Sequence, residues 1–304
     1  MSGLTWKRFA PADHDGLEAF LRSREKEAAG FIGRLLREGR LRPPSPLRGA
    51  LVLAVEDWAG SAEVGSPEGD AAAAAAAVVA GAILKTPTGL VFPLLPAAQS
   101  QEPGERIPRA LGQGVSSVIG PAPDVERFES ALRLKPLVAV SYDLMSRPVA
   151  QGRLPPRAVP RGLATRPASI EDLEELVPLQ EAYEKEEVLT AIHDFDEAGS
   201  RAALARALRD QVIFVSRLGE AAVAKAGTNA RAFGLDQIGG VFVAPPYRRR
   251  GIGAVVVSRL LEFLAQQGRG AVLFVKRGNE AARGLYDDLD FEVIGGYRAD
   301  YFVP

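Results

Sequence analysis

The sequence predicts an α/β protein of the α+β kind, a mixed and mostly antiparallel central sheet with helices on both faces, in two such domains in tandem. Three observations predict it. The chain has 304 residues, 47% of them hydrophobic, which suffices for a large core and favours two domains over one. Short apolar runs of strand type alternate with amphipathic runs of helix type along the whole length. Residues 147–162 hold four prolines and two glycines and read as a linker. The expected units are an α/β domain over 1–146, the linker over 147–162, and a second α/β domain over 163–304.

In the first unit, Leu17, Phe20, Leu21, Phe31, Leu35 and Leu36 make the apolar face of a helix over 11–36, which Gly39 and Pro43 end. Strands follow at 51–55, 78–84 and 90–95, the last two joined by the turn Thr86-Pro87-Thr88-Gly89. The stretch 60–77 closes with seven alanines; a pure alanine run has high helix propensity but no apolar stripe to dock, so a loop with a nascent helix is expected. Residues 96–108 read as a polar loop. A strand at 114–119, a helix at 125–132 begun by Pro123-Asp124, and a closing strand at 137–144 complete the unit.

The second unit opens with a strand at 163–166. Ser169 caps a helix whose buried face is Ile170, Leu173, Leu176 and Val177, and Pro178 is expected to break it before a second piece that runs to 188. This region is acidic, with Glu171, Asp172, Glu174, Glu175, Glu181 and Glu184 followed by Glu186 and Glu187. It reads as a solvated helix face, or else as a wall that attracts a cationic amine. A helix at 199–208, strands at 212–216, 221–226 and 234–243, a helix to 267, a strand at 270–276, a helix at 279–289 and a final strand pair about Gly295-Gly296 follow.

The stretch 237–267 organises the rest. Its strand Val241-Phe242-Val243-Ala244 is cut by Pro245 and Pro246, which cannot donate to a ladder. Arg248, Arg249 and Arg250 follow, then Gly251-Ile252-Gly253-Ala254 opens the next helix. Glycines there let backbone N–H groups approach an anion, and the helix dipole adds about 0.3 to 1 kcal/mol. Charge-assisted hydrogen bonds contribute about 1.5 to 3 kcal/mol each, so the stretch is an anion cradle suited to a pyrophosphate.

Arg248-x-x-Gly251-x-Gly253 behind Val241-x-Val243 resembles the acetyl-CoA-binding motif of the GCN5-related N-acetyltransferases, the GNAT superfamily. A second match strengthens the first. Leu273-Phe274-Val275, then Asn279-x-x-Ala282, Tyr286 and Phe291, is similar to a later segment of the same family. The resemblance covers 163–303; Asp290 stands where the family has glycine. The first unit echoes the family's element order without the cradle, its nearest counterpart being Gly112-Gln113-Gly114, and reads as a degenerate GNAT-like domain or an unrelated α/β domain.

The resemblance implies transfer of an acetyl group from acetyl-CoA to a primary amine by direct attack in a ternary complex. It implies that Val241, Phe242 and Val243 hold the pantetheine arm, that 248–254 hold the phosphates, and that Asn279 sits beside the arm. It gives Tyr286 the role of acid toward the departing thiolate. Freeing the lone pair of an ammonium of pKa near 10.4 at pH 7 costs about 4.6 kcal/mol, so a base is required. Asp236, Glu186 and Glu187 are candidates, with His193 a third possibility.

Composition bounds the alternatives. Zero cysteines remove thiol catalysis, disulfides and thiolate-held metal, and two histidines exclude a histidine-rich metal site, so no metal is expected. A net charge of -1 argues against nucleic acid as a partner. No apolar run approaches the roughly 20 residues of a membrane span, and residues 1–10 lack a signal-peptide core, so a cytoplasmic protein is expected. Two rival functions stay open. One is a CoA-binding sensor without transfer. The other is a tandem-GNAT transferase with another donor or acceptor, of thiol-cofactor synthase or aminoacyl-transferase type. The identity of the acceptor and the oligomeric state are not readable.

Overall fold

The computed structural model describes residues 4–37, 40–42, 49–56, 78–97, 107–149 and 160–302. The alanine run, the middle of the loop expected over 96–108 and most of the expected linker lie outside the described residues.

The first half runs β1 (Leu4–Arg8), α1 (His14–Ser23), α2 (Glu25–Leu35), a small hairpin of β2 (Leu36–Arg37) and β3 (Arg40–Leu41), and β4 (Ala50–Glu56). It continues with β5 (Val78–Lys85), β6 (Leu90–Leu94), β7 (Ser117–Pro121), α3 (Ala122–Leu132) and β8 (Val138–Arg147). The second half runs β9 (Leu163–Pro167), α4 (Leu173–Tyr183), α5 (Glu197–Asp210), β10 (Ile213–Leu218), β11 (Ala221–Arg231) and β12 (Leu235–Val243). It ends with α6 (Ile252–Gln266), β13 (Gly270–Lys276), α7 (Glu280–Asp287) and β14 (Glu292–Tyr301).

Twelve of these strands form one sheet in the order β1-β4-β5-β6-β7-β14-β8-β13-β12-β11-β10-β9. Each half contributes a meander whose last strand has a parallel neighbour, β6 beside β7 and β12 beside β13; the other pairs are antiparallel. The closing strands are exchanged. β14 lies between β7 and β8, and β8 lies between β14 and β13, so each half inserts its last strand into the sheet of the other. The halves share a sheet, and a site at its centre can draw on both.

Helix packing repeats that interlock. Leu17, Leu21, Phe31 and Ile32 of α1 and α2 bury against β4, β5 and β6, in a cluster that also takes Leu235 and Val272 from the second half. At about 1.5 to 3 kcal/mol for each large apolar side chain removed from water, such a cluster fastens the halves together. Glu25 accepts hydrogen bonds from the Gly234 and Leu235 amides at 2.5 and 3.3 Å, and the Arg22 guanidinium lies 4.1 Å from the centre of the Phe233 ring. In the second half, Val256, Val257, Leu260, Leu261 and Leu264 give α6 a buried face over β10 to β13.

Three expectations change. The helix over 11–36 is two helices: the chain turns at Arg24, whose guanidinium is drawn off to the Leu95 carbonyl at 3.0 Å and to Asp124 at 2.8 Å. Pro178 does not break its helix, since Leu176 and Leu179 hold α4 in its core and proline removes only one donor. The regular ladder instead fails further on, at a π-helical turn over Glu184–Val188. The strand pair about Gly295-Gly296 is one strand, β14, whose glycines pair with Leu144 and Asp143 of β8 after a bulge. Between β6 and β7 the described residues hold a 3-10 turn at Arg109–Gly112 and no helix like α6.

Candidate functional site

The site begins where β12 and β13 part. They pair only from Leu235 with Gly270 to Gln237 with Val272, although β12 continues to Val243. On the other edge of β12, Lys225 of β11 pairs with Phe242 and Gly227 with Gly239, so Gly240 and Val241 bulge between them. Gly240 has φ 61°, the left-handed region open to glycine, and its carbonyl accepts from the buried Lys225 ammonium at 3.0 Å. Bulge and divergence together leave the end of β12 without a partner on its β13 side, and a cleft opens there.

At the end of β12 the two prolines form a 3-10 turn with Tyr247. Arg249 and Gly251 both have positive φ, 60° and 74°, and no side chain caps α6. The first N–H groups of a fifteen-residue helix therefore open toward the cleft together with the positive end of its dipole. Gly253 matters for a second reason: a Cβ there would stand 3.3 Å from the Val243 side chain and 3.5 Å from Leu285. A side chain there would have to push the Val243 methyl aside by a few tenths of an ångström, so glycine eases the close approach of α6 to β12.

A cavity of about 350 Å³ fills the cleft, lined by Val241, Phe242 and Val243, by Arg248, Arg249 and 251–254, and by Asn279, Leu285 and Tyr286. Arg248 serves the turn itself: it donates to the Val243 carbonyl at 2.9 Å and to Glu186 at 2.8 Å. Arg250 is not among the lining residues; its guanidinium sits 5.9 Å from the centre of the Tyr247 ring. Asn279 caps α7 by accepting from the Ala282 amide at 3.0 Å and donates to Glu187 at 3.3 Å.

A second chamber of about 370 Å³ adjoins the first, and the two share Glu187, Val241, Asn279, Ala282 and Tyr286. Among the described residues Glu187 is the one carboxylate on both linings. The π-turn brings it there, and π-turns concentrate at functional positions. Tyr286, 7% exposed, has its hydroxyl pKa pushed well up by burial and, less, by the nearby Tyr183 and Glu187, so it stays protonated as a hydrogen donor. Tyr183 is raised to about 12, burial again leading.

Asp236 is not brought to the cleft. It is wholly buried at the start of β12, where Arg269 donates to it at 2.6 and 3.0 Å and Arg231 lies at 3.4 Å. A buried carboxylate needs such partners, and this one ties the strand to the chain after α6. The acidic region divides in the same way. Asp172 pairs with Arg166, Glu174 with Arg201, Glu175 with Arg217 and Glu181 with Lys185, Glu184 accepts from Gln180, and of the whole region Glu186 and Glu187 line the cavities. His193 is on neither lining but packs behind the second, its ring edge-on to Tyr301 at 5.0 Å.

The second chamber is what sequence reasoning missed. Its walls include Tyr142 of β8, Tyr183, Phe274 of β13, and Tyr297 and Tyr301 of β14. The chain has six tyrosines, and all six line one or both cavities. The available signal was the i, i+4 pair Tyr297 and Tyr301, which share one face of a strand; Tyr142, from the first half, carried none. Among the described residues no cluster of three or more His, Asp or Glu has metal-holding geometry, and no helix is long and apolar enough to cross a membrane.

Comparison with known proteins agrees with this geometry. No curated protein matches the chain. Its fold is shared with solved structures along nearly its whole length. A Drosophila protein is 12% identical with TM-score 0.63, covering 99% of each chain. A GCN5-related N-acetyltransferase from Sphaerobacter thermophilus is 16% identical with TM-score 0.58, covering 99% of this chain and 96% of its own. A tandem GNAT protein from the clavulanic acid biosynthesis pathway is 14% identical with TM-score 0.53, covering 99% of each. Residues 173–291 match the model of the acetyltransferase (GNAT) family. That segment holds α4, the π-turn, the β12 bulge, the turn into α6, Asn279 and Tyr286, so the second half of this chain carries the segment that matches the GNAT family model, in a fold shared along the whole chain with a tandem GNAT protein.

Proposed function

We propose that the protein is an acetyl-CoA-dependent N-acetyltransferase acting on a primary amine by direct attack in a ternary complex. The observation that carries the reading is the junction of the two cavities, where Glu187 and Tyr286 line both the cleft at the end of β12 and the adjoining chamber. In this reading the cleft holds acetyl-CoA. Its phosphates meet the 249–254 backbone and its pantetheine arm runs along Val241 to Val243, where unpaired strand amides offer hydrogen bonds.

Acetyl-CoA would supply the acetyl group as a thioester, whose C–S bond breaks as the C–N bond to the amine forms. Glu187 takes the proton that the ammonium must lose and passes it to solvent. Tyr286 donates its hydroxyl proton to the departing sulfur and recovers one from the same nitrogen, so the amide product and a thiol leave with one net proton released. General acid and base steps of this kind contribute about 10² to 10⁴ each in rate. The backbone N–H groups at the end of β12 polarise the carbonyl.

The test is CoA release followed with a thiol reagent across a panel of primary amines, with Tyr286→Phe as the control. Wild type should release CoA with at least one amine. The Tyr286→Phe protein should bind acetyl-CoA with unchanged affinity in calorimetry and turn over about 10²-fold more slowly. Donor binding without turnover on any amine would favour a CoA-binding sensor instead.

A further inference from the structure

The chamber beside the donor cleft says what kind of amine it takes. Across the sheet centre, Tyr142 pairs with Tyr297 on β14 and with Lys276 on β13, so their side chains share a face. The Tyr142 ring meets Phe274 edge-on at 5.4 Å, and Phe274 stacks on Tyr297 at 4.8 Å with 6° between planes. Such edge-on and stacked rings leave faces and edges ready for another ring. Among the described residues Lys276 and Glu187 are the only charged ones on the lining, and their charged atoms stand 3.9 Å apart. That carboxylate already faces Lys276, so the chamber offers the further ammonium groups of a polyamine no carboxylate, and what it offers an acceptor beyond its reacting amine is the faces of its rings. Its volume, about 370 Å³, lies at the small end for ligand pockets.

We propose that the acceptor is a small primary amine carrying a ring on a short chain, and that Tyr142, delivered by the first half through the exchanged strand β8, is a specificity-determining residue. The proposal rests on the acetyl-transfer reading for the position of the amine, which sits at Glu187 and Tyr286 where the cavities join, with the ring packed among Tyr142, Phe274 and Tyr297. It also assigns the first half a task that its missing cradle does not perform. It builds a wall of the acceptor chamber.

Three probes separate the possibilities: 2-phenylethylamine, n-butylamine and spermidine, each measured for turnover and for equilibrium binding to the CoA-loaded protein by ligand-observed NMR. The expected result is a kcat/KM for 2-phenylethylamine at least tenfold above the other two. Tyr142→Ala should shrink that ratio to threefold or less and Tyr142→Phe should keep it, while acetyl-CoA affinity stays unchanged in both. A merely structural role for Tyr142 would lower all three amines equally and overturn the assignment, as would a preference for spermidine or n-butylamine. If no amine is turned over, the transfer reading fails on its own. Tenfold tighter binding of 2-phenylethylamine than of n-butylamine, lost in Tyr142→Ala, then sustains the chamber proposal, and equal binding refutes it. Should Tyr142→Ala not fold, Tyr301→Leu, at a half-buried position on the lining, carries the same comparison with the same outcomes.

Discussion

Asn279 donates from its side-chain amide to a Glu187 carboxylate oxygen at 3.3 Å, so the first turn of α7 and the π-turn after α4 hold each other where the two cavities meet. The hydrogen bond aims the carboxylate without protonating it. Replacement by Glu187→Gln keeps the size and the acceptor oxygen but removes the base. Turnover should fall by about 10² or more while acetyl-CoA affinity changes little, read as kcat against calorimetric Kd. Unchanged kcat would move the base elsewhere.

Gly251 combines φ 74° with the N-terminus of α6. Gly251→Glu therefore imposes about 1 to 2 kcal/mol of left-handed strain and puts a negative charge where phosphates are expected. Acetyl-CoA affinity should fall at least about a hundredfold, or roughly 2.7 kcal/mol, with the far-ultraviolet circular dichroism unchanged. Full retention of affinity would remove this turn from the donor site.

The Asp236 to Arg269 pair is buried and joins the entry of β12 to the chain after α6. Removing one partner of such a pair costs about 3 to 5 kcal/mol, so Asp236→Asn should unfold at markedly lower urea while its folded fraction keeps its kcat. The opposite outcome, lost kcat at unchanged stability, would restore Asp236 as the base.

Lys225 donates to the Gly240 bulge and lies 4.6 Å from the centre of the Tyr183 ring. Burial lowers its pKa from 10.5 to about 8, outweighing the opposing pull of Glu184. Between about pH 8 and 10.5 the unfolded chain keeps a proton that the folded one has lost, so stability rises with pH through that window, toward about 3 kcal/mol in total. Below about pH 8 both states are protonated and the slope vanishes. Urea titrations at pH 7.5 and 10 should show this gain in wild type relative to Lys225→Met; parallel curves would mean that Lys225 titrates near its ordinary value.

Much of the cleft at the end of β12 was legible because its parts are contiguous. The end of β12, the prolines, Gly251, Gly253 and Asn279 act through backbone geometry over a few residues, and local patterns record local geometry. Asp236 was misread for the complementary reason: a carboxylate entering a strand looks the same whether it faces a cleft or two arginines, and Arg269 is 33 residues away. Likewise Pro178 signals a break only if no packing outweighs it, and the Leu176 to Leu179 core does.

Taken alone, the sequence determined the α/β class, the turn from β12 into α6 and the resemblance of the second half to the GNAT family, since strand period, helix period, proline stops and glycine turns are short-range properties of the chain. Tertiary structure decided the exchange of β8 with β14, the choice of Glu187 over Asp236 at the junction, and the chamber that gathers Tyr142, Phe274, Tyr297 and Tyr301. Each of these depends on pairing between segments far apart in the chain. Such pairing is fixed by burial across a whole sheet, and no short stretch of sequence records it.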